Sequence, residues 1–384
     1  MTCARLQAGL LGTMGRRSVY ISPAAMHLRL RYFVTQTCLL AALGGFSTSC
    51  RIDPGAGKAA VAVVGAGIVN DPGNKSLRFD ILRFGMAEFC RELLQNGTPL
   101  RLADDQPVIG RFFADSCQTK TIDEVARNSV LVQFGGKGYA WTVGTGRMGF
   151  RAQGLLELAP DFRLADDALY VYFRPVHVDT SDFGLLMTES SLTEAVMDVA
   201  GVSEIEVGRA IIDAQLGRGF TVIRYDADGH TDFGLGLIAA GELPFRPFTV
   251  VSSPRRTLAN GRTEIFREQQ DYLGRLHVEA GESLTVTLAI DGTKAIDVAL
   301  VEAGPDAALV QRYVTQRGAA ALDQDVAFSA QISGAAPFKS ELKVAAGDYF
   351  LVFDHAAAFG ETAPGSDGLP ARVDYLVQVG RASP

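Results

Sequence analysis

Short, evenly spaced β-strand patterns fill the last third of the chain and restrict that region to an all-β arrangement. Within SLTVTLAI, Leu284, Val286 and Leu288 alternate with threonines, which gives the strand one apolar and one polar face. Glycine-containing turns separate the successive patterns, as they do in antiparallel sandwiches. We therefore predict a β-sandwich domain over residues 271–384. Its predicted strands are LHVEA, SLTVTLAI, IDVALVEA, VQRYVTQ, VAFSAQI, FKSELKV, DYFLVFDHA and VDYLVQV.

Two longer motifs in this region are similar to a known class of module. They are GRLHVEAGESLTVTLAIDGTKAIDVALVEAG and, later, AAGDYFLVFDHA. They resemble the small jelly-roll and Golgi-dynamics-like sandwich modules of secreted bacterial proteins, which pair a V-x-A-G-E-x-L-x-V opening with an A-G-x-Y-x-L-V closing strand. The matching positions are mostly turn and core residues. The resemblance implies a sandwich fold and an accessory role in secretion, stability or contact with partners.

An amphipathic helix is the clearest local feature of the middle of the chain. In SLRFDILRFGMAEFCRELLQN, Ser76 to Asn96, apolar residues recur at spacings of three and four, with charged residues between them. Gly97 follows directly and predicts the end of the helix. The segment EIEVGRAIIDAQL, Glu204 to Leu216, predicts a second helix, and residues 190–199 predict a shorter one.

Strand patterns lie between these helices, from about residue 98 to residue 188. They are rich in β-branched and aromatic residues and are separated by Gly, Asp and Pro. A hairpin is predicted after the second helix, in FTVIRYDADGHTDFGLGLI. We therefore predict an α+β domain over residues 61–250, with helices packed on a curved antiparallel sheet. The predicted strands are PVIGRFF, NSVLVQF, GYAWTV, RMGFRAQGLLELA, ALYVYFRPVHV and FGLLMT.

Both helices lead through glycine into an extended apolar run, in LLQNGTPL and LGRGFTVI. These passages resemble the helix-to-strand passages of the tubular lipid-binding superfamily, which includes bacterial lipoproteins. The resemblance implies a long helix inside a strongly curved antiparallel sheet, with an apolar groove. No residue of this chain matches a catalytic or ligand motif of that superfamily, so no site is transferred from it.

The segment LRLRYFVTQTCLLAALGGFSTSC, Leu28 to Cys50, has the pattern of an export signal. Arg29 and Arg31 precede an uncharged, partly apolar run. Its end, FSTSC, resembles the lipobox of bacterial lipoproteins, although Ser47 stands where that family prefers Leu. The resemblance implies acylation of Cys50 and a place in the cell envelope, on the periplasmic side of the outer membrane or at the cell surface. A membrane-spanning helix and a buried core helix are the alternatives.

Composition shifts divide the chain into five predicted parts. The stretch VSSPRRTLANGRTEIFREQQ, residues 251–270, differs from its surroundings and is predicted as a linker. Met26 is an alternative start, because the preceding residues fit no signal pattern. The predicted parts are an export signal at 1–49, a tether at 50–60, the α+β domain at 61–250, the linker at 251–270 and the β-sandwich domain at 271–384.

The net charge of the chain after residue 49 limits the kinds of molecule that it can bind. Removing residues 1–49 leaves 31 basic and 43 acidic residues, a net charge of −12. An acidic chain without basic runs is a poor nucleic-acid binder, so none is predicted as a partner. Anionic lipid surfaces would repel it as well. The predicted membrane contact is therefore the lipid on Cys50, and the sequence identifies no protein partner.

Cysteine usage agrees with export. Cys3 and Cys38 belong to the leader, and Cys50 is the predicted acylation site. One pair remains, Cys90 and Cys117. In an oxidising compartment the two could form a lasting disulfide. Two buried thiols are the alternative, since cysteine is among the most buried residue types.

Catalytic and metal motifs are weak in this sequence. The strand-like VAVVGAGIVN lacks the third glycine of a dinucleotide fingerprint. Asp354 and His355 are neighbours, and neighbours along a strand point to opposite faces. The segment DADGHTD carries three carboxylates but lacks the ligand order of a calcium loop, and a hairpin turn is favoured there. We predict no enzyme activity, no cofactor and no metal.

The sequence therefore favours an exported, lipid-anchored, non-catalytic envelope protein. We predict that it binds an apolar or amphiphilic ligand between the helix at 76–96 and the sheet. The candidate ligand-binding residues are Phe84, Tyr139 and Trp141, the single tryptophan. For Tyr139 and Trp141, core packing is the alternative. The alternative function is an envelope structural or interaction protein whose β-sandwich contacts a protein or glycan.

Overall fold

A computed structural model gives the fold of the chain. The leader and Cys50, the tether, the predicted helix at 190–199 and most of DADGHTD lie outside the described residues. Of the strand predicted in VAVVGAGIV, only residues 67–69 are described, and they are helical. The described residues are 67–69, 71, 73–103, 105–124, 127–142, 145–165, 168–189, 203–225, 231–250, 254–304, 308–318, 326–334, 336–356 and 370–381.

Strands outnumber helices among the described residues, which form one compact unit. The helices are α1 Lys75–Gln95, α2 Glu204–Gly217 and α3 Ala308–Thr315. The strands are β1 Thr98–Leu100, β2 Gly110–Glu124, β3 Arg127–Thr142, β4 Gly146–Ala165, β5 Ala168–Thr188, β6 Phe220–Tyr225, β7 Thr231–Leu235, β8 Arg256–Ile265, β9 Gln269–Val278, β10 Glu282–Asp291, β11 Ala295–Glu302, β12 Val326–Ser333, β13 Phe338–Leu342, β14 Gly347–His355 and β15 Ala371–Arg381.

Strands β1 to β7 form one curled antiparallel sheet in sequence order. Its central strands are longer than predicted. NSVLVQF and GYAWTV are joined through GGKG into β3, and ALYVYFRPVHV continues to FGLLMT as the 21-residue β5. Breaks in register along β4 and β5 mark bulges. Bulges bend a strand without ending it, so the chain passes through residues that resemble turns.

Aromatic side chains fill the space between the helices and this sheet. The ring of Phe220 stacks on Phe89 of α1, with centroids 4.3 Å apart, and on Phe173 of β5, at 4.4 Å. At Gly85 of α1 an added Cβ would lie 2.9 Å from Cζ of Phe173, so the helix is in close contact with the strand. Around Gly85 and Phe173 the interface predicted to hold a ligand is therefore a packed core.

Strands β8 to β15 form two four-stranded antiparallel sheets, ordered β13-β10-β15-β8 and β12-β11-β14-β9. Apolar side chains from both sheets share one core, which includes Leu284, Val286 and Leu288 as the alternation predicted. The linker prediction is wrong for residues 256–265, which form β8. This strand lies at the edge of its sheet. An edge strand keeps much of its polar surface in water, and its composition therefore resembles a linker.

One predicted strand is a helix. The segment VQRYVTQ belongs to α3, which buries Leu309, Val310, Tyr313 and Val314. Their spacing follows a helical face, although valine and tyrosine favour strands. The helix touches the curled sheet at Gly149, where an added Cβ would lie 1.8 Å from the carbonyl oxygen of Val314. Only glycine permits this approach.

Cys90 of α1 and Cys117 of β2 are joined in a disulfide, with Cα atoms 5.6 Å apart. The bond therefore ties the long helix to the curled sheet. Of the two alternatives left open by the sequence, the structure contains the bridge. It closes a chain segment with a sequence separation of 27 residues.

Replacing both cysteines with alanine is expected to lower the free energy of unfolding by about 3 kcal/mol, because an open chain of this length gains entropy when unfolded. Urea denaturation of the oxidised protein and the double variant would measure the difference. Adding a reductant should lower the stability of the original protein and leave the variant unchanged. Equal stability of the oxidised protein and the variant would contradict the prediction.

Candidate functional site

The described residues enclose an open groove of about 2310 Å³. One wall is the C-terminal half of α1 with strand β7, and the other is strand β8. The irregular segment 236–250 connects the two sides. Two side-chain amides hold these parts together: Asn96 Nδ2 donates to the carbonyl of Leu258 at 2.8 Å, and Asn260 Nδ2 donates to that of Phe248 at 2.8 Å.

Large apolar side chains are exposed along the groove. Phe245 is 61% exposed and Leu243 is 65% exposed. Leu237 and Val250 of the same segment are also exposed, and all four residues line the cavity. Covering exposed apolar groups lowers the free energy, so these residues mark a surface that a ligand or partner could cover.

Charged side chains are frequent in the same groove. Of the described residues that line it, nine are arginine and six carry carboxylates. Three of these arginines pair with acids outside the lining, Arg111 with Asp271, Arg255 with Glu341 and Arg262 with Asp374, so the arginines and the acids around the groove balance in number. The arginines are Arg91, Arg101, Arg111, Arg218, Arg246, Arg255, Arg256, Arg262 and Arg372, and the acids are Glu92, Asp105, Asp232, Glu242, Glu264 and Asp291.

Carboxylates neutralise some of these arginines. Arg262 makes two contacts to Asp374, at 2.5 and 3.0 Å, and its guanidinium lies 4.9 Å from the ring centre of Phe245. Arg372 Nη1 lies 3.1 Å from Asp291 Oδ2. These pairs fix the groove wall and contribute little net charge to it.

Two exposed arginines differ, because no described carboxylate lies within 4 Å of them. Arg246 donates to the carbonyl oxygens of Phe233, at 2.9 Å, and Phe245, at 3.3 Å. Arg256 begins strand β8 and is exposed. Guanidinium groups keep their charge at every physiological pH, so both leave positive charge in the groove.

Glu92 of α1 also lines the groove, and its charge interacts with that of Arg246. Burial raises its pKa above the ordinary value of a glutamate, although Arg91 and Arg246 act in the opposite direction. Its carboxylate is therefore easier to protonate than an exposed one. Protonation of Glu92 would make the groove more positive.

A buried ion pair adjoins the groove, since Arg111 is one of its lining residues. Arg111 of β2 donates through Nε and Nη2 to the two carboxylate oxygens of Asp271 on β9, at 3.1 and 2.6 Å. The hydroxyl of Tyr139 donates to the same carboxylate. Burial opposes ionisation of Asp271, but Arg111 and the hydrogen bonds outweigh it and lower its pKa. This ion pair ties the curled sheet to the two four-stranded sheets formed by β8 to β15, called the paired sheets below.

A second buried arginine, Arg147 of β4, is bound to the end of α3. The guanidinium of Arg147 lies 3.8 Å from the ring centre of Tyr313 and donates to the carbonyls of Gln316, at 2.7 Å, and Gly318, at 2.8 Å. It also pairs with Glu189 at 2.7 Å. Burial raises the pKa of Tyr313 to about 12, so its hydroxyl stays protonated.

The structure does not bring the predicted ligand residues together at a cavity. Tyr139 is buried and bound to Asp271. Trp141 stacks on Phe266 with ring centres 4.3 Å apart. Phe84 is half-buried on α1, with the guanidinium of Arg224 4.9 Å from its ring centre. None of the three is among the described residues that line the groove.

Asp354 and His355 are both buried at the end of β14. Asp354 Oδ1 accepts from the amide of Ala356 at 3.1 Å, and His355 Nδ1 lies 3.2 Å from the carbonyl of Ile265. These backbone contacts give both side chains a structural role. Within the described ranges no group of three or more His, Cys, Asp or Glu side chains is arranged to hold a metal, and no helix has the length and apolarity to cross a bilayer.

Sequence reasoning missed the groove. Its arginines come from α1, the segment 236–250, β8 and β15, so no local motif contains them. The signal that could have indicated it is the neighbouring pair Arg255 and Arg256 close to the apolar–basic segment PFRPF. Neither a protein-family model nor a characterised protein matches the sequence of this chain.

Proposed function

We propose that the protein is an exported, non-catalytic envelope lipoprotein that binds an amphiphilic ligand in the groove. The supporting observation is the lining, which combines exposed apolar side chains with charged groups, two of them arginines without a described carboxylate within 4 Å. Ligand sites in proteins usually occupy a few hundred to about 1,000 Å³. An open groove larger than this could take a chain-like molecule along its length.

The proposed place in the envelope depends on the leader. The export pattern and FSTSC would put the mature chain on a membrane through acylated Cys50. The bond between Cys90 and Cys117 fits an oxidising compartment outside the cytosol. A lipid anchor would hold the groove near a supply of amphiphiles.

We also propose a division into two domains. An α+β domain, with α1 and α2 on the curled sheet, would be followed by a β-sandwich domain made of the paired sheets. Because β8 is part of the paired sheets, the boundary would fall between β7 and β8, earlier than the sequence indicated. The groove would then be built from both domains.

The alternative function assigns partner contact to the sandwich. Such a contact would need an exposed apolar or aromatic patch. The strongly exposed large apolar residues in the described part of the chain all precede residue 251. We therefore favour the groove as the binding surface.

Mass spectrometry of lipids that copurify with the protein from its own membrane would test the proposal. We expect one defined class of amphiphile at near-equal molar ratio. Phe245→Asp should abolish copurification, because a carboxylate would replace the apolar surface beside Arg262. Val176→Asp provides the control, since Val176 is 62% exposed and lies away from the groove lining. Equal lipid content in both variants would contradict the proposed site.

A further inference from the structure

We propose that strand β12, Val326–Ser333, is a self-association edge that pairs antiparallel with β12 of a second copy of this chain. The inference goes beyond the proposed function and does not depend on the groove. It is carried by the position of β12 at the edge of its sheet, where β11 is its one described partner, and by the lack of charge on all eight of its residues.

Strand β12 lacks the features that usually protect a sheet edge. An edge strand offers unpaired backbone donors and acceptors to another strand, and charged side chains, proline or short length normally prevent this contact. Among the other edge strands of the described residues, β1 has three residues and contains Pro99, and each of the rest is charged. The charged residues are Asp232 on β7, Arg256, Arg262 and Glu264 on β8, Asp271 and Arg275 on β9, and Lys339 and Glu341 on β13.

The sandwich core is incompletely covered along β12. Phe328 and Ala330 face this core and are only half-buried. The residues opposite them on β11, Leu300 and Val298, are fully buried. The ring of Phe328 lies 6.2 Å from that of Phe338 on β13, the edge strand of the other sheet. A strand added beside β12 would cover these apolar groups and pair with the open backbone groups at the same time.

A second copy of β12 fits this edge. In an antiparallel pair, residues directly opposite each other lie on the same face, so a strand can pair with itself about a two-fold axis at one residue. A bulge ends the regular pairing with β11 beyond Phe328, which leaves residues 328–333 for the contact. An axis at Ala330 places Phe328 opposite Ile332 of the second copy, so every core-facing residue of this stretch meets another.

Charge also favours self-pairing at β12. The chain has a net charge of −7, so two copies repel each other over most of their surface. A charged residue close to a two-fold axis would lie beside its own like charge, and like charges directly opposite in a sheet destabilise the pair. No residue of β12 is charged, so the axis would pass through a neutral part of the molecule.

Cysteine cross-linking in intact membranes tests the pairing. An axis at Ala330 brings the two Cβ atoms of Ala330→Cys within about 5.5 Å, close to their separation in a disulfide. The Cβ atoms of Ser333→Cys would lie about 20 Å apart, because six residues of extended strand separate them. Mild oxidation with copper phenanthroline should double the mass of Ala330→Cys on a non-reducing gel and leave Ser333→Cys unchanged. Ser333 is the more exposed of the two, so random collisions would favour the control.

A charge change on the exposed face separates pairing from folding. In the proposed register Ser329 faces Gln331 of the second copy, and both are exposed. Adding Ser329→Lys and Gln331→Lys to Ala330→Cys should abolish the cross-link, because lysines would then face lysines. Coexpression with a chain that carries Ala330→Cys, Ser329→Glu and Gln331→Glu should restore it.

Three results would overturn the inference. The first is equal cross-linking of Ala330→Cys and Ser333→Cys, which would show chance encounters. The second is no doubled mass for Ala330→Cys. The third is a cross-linked product that contains a different protein, since the edge would then belong to another partner.

Discussion

Asp271→Asn is expected to lower the free energy of unfolding by about 3–5 kcal/mol, the usual loss when one member of a buried ion pair is removed. The substitution leaves Arg111 buried without a compensating charge, and the side chain of Arg111 is only 1% exposed. It also removes a charged acceptor from the hydroxyl of Tyr139. Urea denaturation followed by tryptophan fluorescence would measure the change.

Asp374→Asn provides the matched control. Asp374 also accepts two contacts from an arginine, but it and Arg262 are partly exposed, with side chains 22% and 30% accessible. Water replaces a lost partner at such a site, so the expected cost is below about 1 kcal/mol. Similar losses for both variants would show that burial does not determine the contribution of Asp271.

The same pair predicts how stability responds to acid. The pKa of Asp271 is lowered in the folded protein, from an ordinary value of 3.8. The stabilisation by its charge is therefore fully present above that ordinary value and is lost as pH falls through the lowered folded-state pKa. Asp271→Asn should show a flatter dependence of stability on pH in this acid range. An identical dependence in both proteins would contradict the assignment.

Cys50→Ser is expected to move the protein from the membrane fraction to the soluble fraction. Acyl chains contribute about 0.8 kcal/mol for each buried methylene, so removing them removes most of the membrane affinity. The remaining body, with a net charge of −12 after residue 49, has no attraction to anionic lipid. Fractionation and immunoblotting would measure the distribution.

Cys38→Ser is the control for this experiment, because Cys38 belongs to the leader that export would remove. The Cys38→Ser variant should stay on the membrane. The mass of its mature form should equal that of the mature protein without the substitution. A Cys50→Ser protein that remains membrane-bound would contradict the proposed anchor. The groove proposal would then need a different source of ligand.

Local patterns predicted many of the elements well. The periodicity around Leu82, Met86 and Phe89 gave α1 nearly to its ends, because a helix face is determined by neighbouring residues. The alternation around Val286 gave β10 and its buried face for the same reason. The mostly β character with few helices also followed from these patterns.

Strand pairing and tertiary packing determined the elements that local sequence patterns did not predict. GGKG looks like a turn, yet β2 and β4 pair with it on both sides and keep it in one strand. Tyr313 favours a strand by propensity, yet its ring lies beneath Arg147 from a distant strand. The groove has the same origin, since Arg246 and Arg256 are brought to it by separate elements.

The ion pair of Arg111 and Asp271 joins β2 of the curled sheet to β9, and Arg147 of β4 is bound to the end of α3. We therefore expect the two walls to keep a constant separation, without a hinge between them. A ligand would enter and leave through the open side of the groove, and its residence time would depend on its contacts with the lining residues.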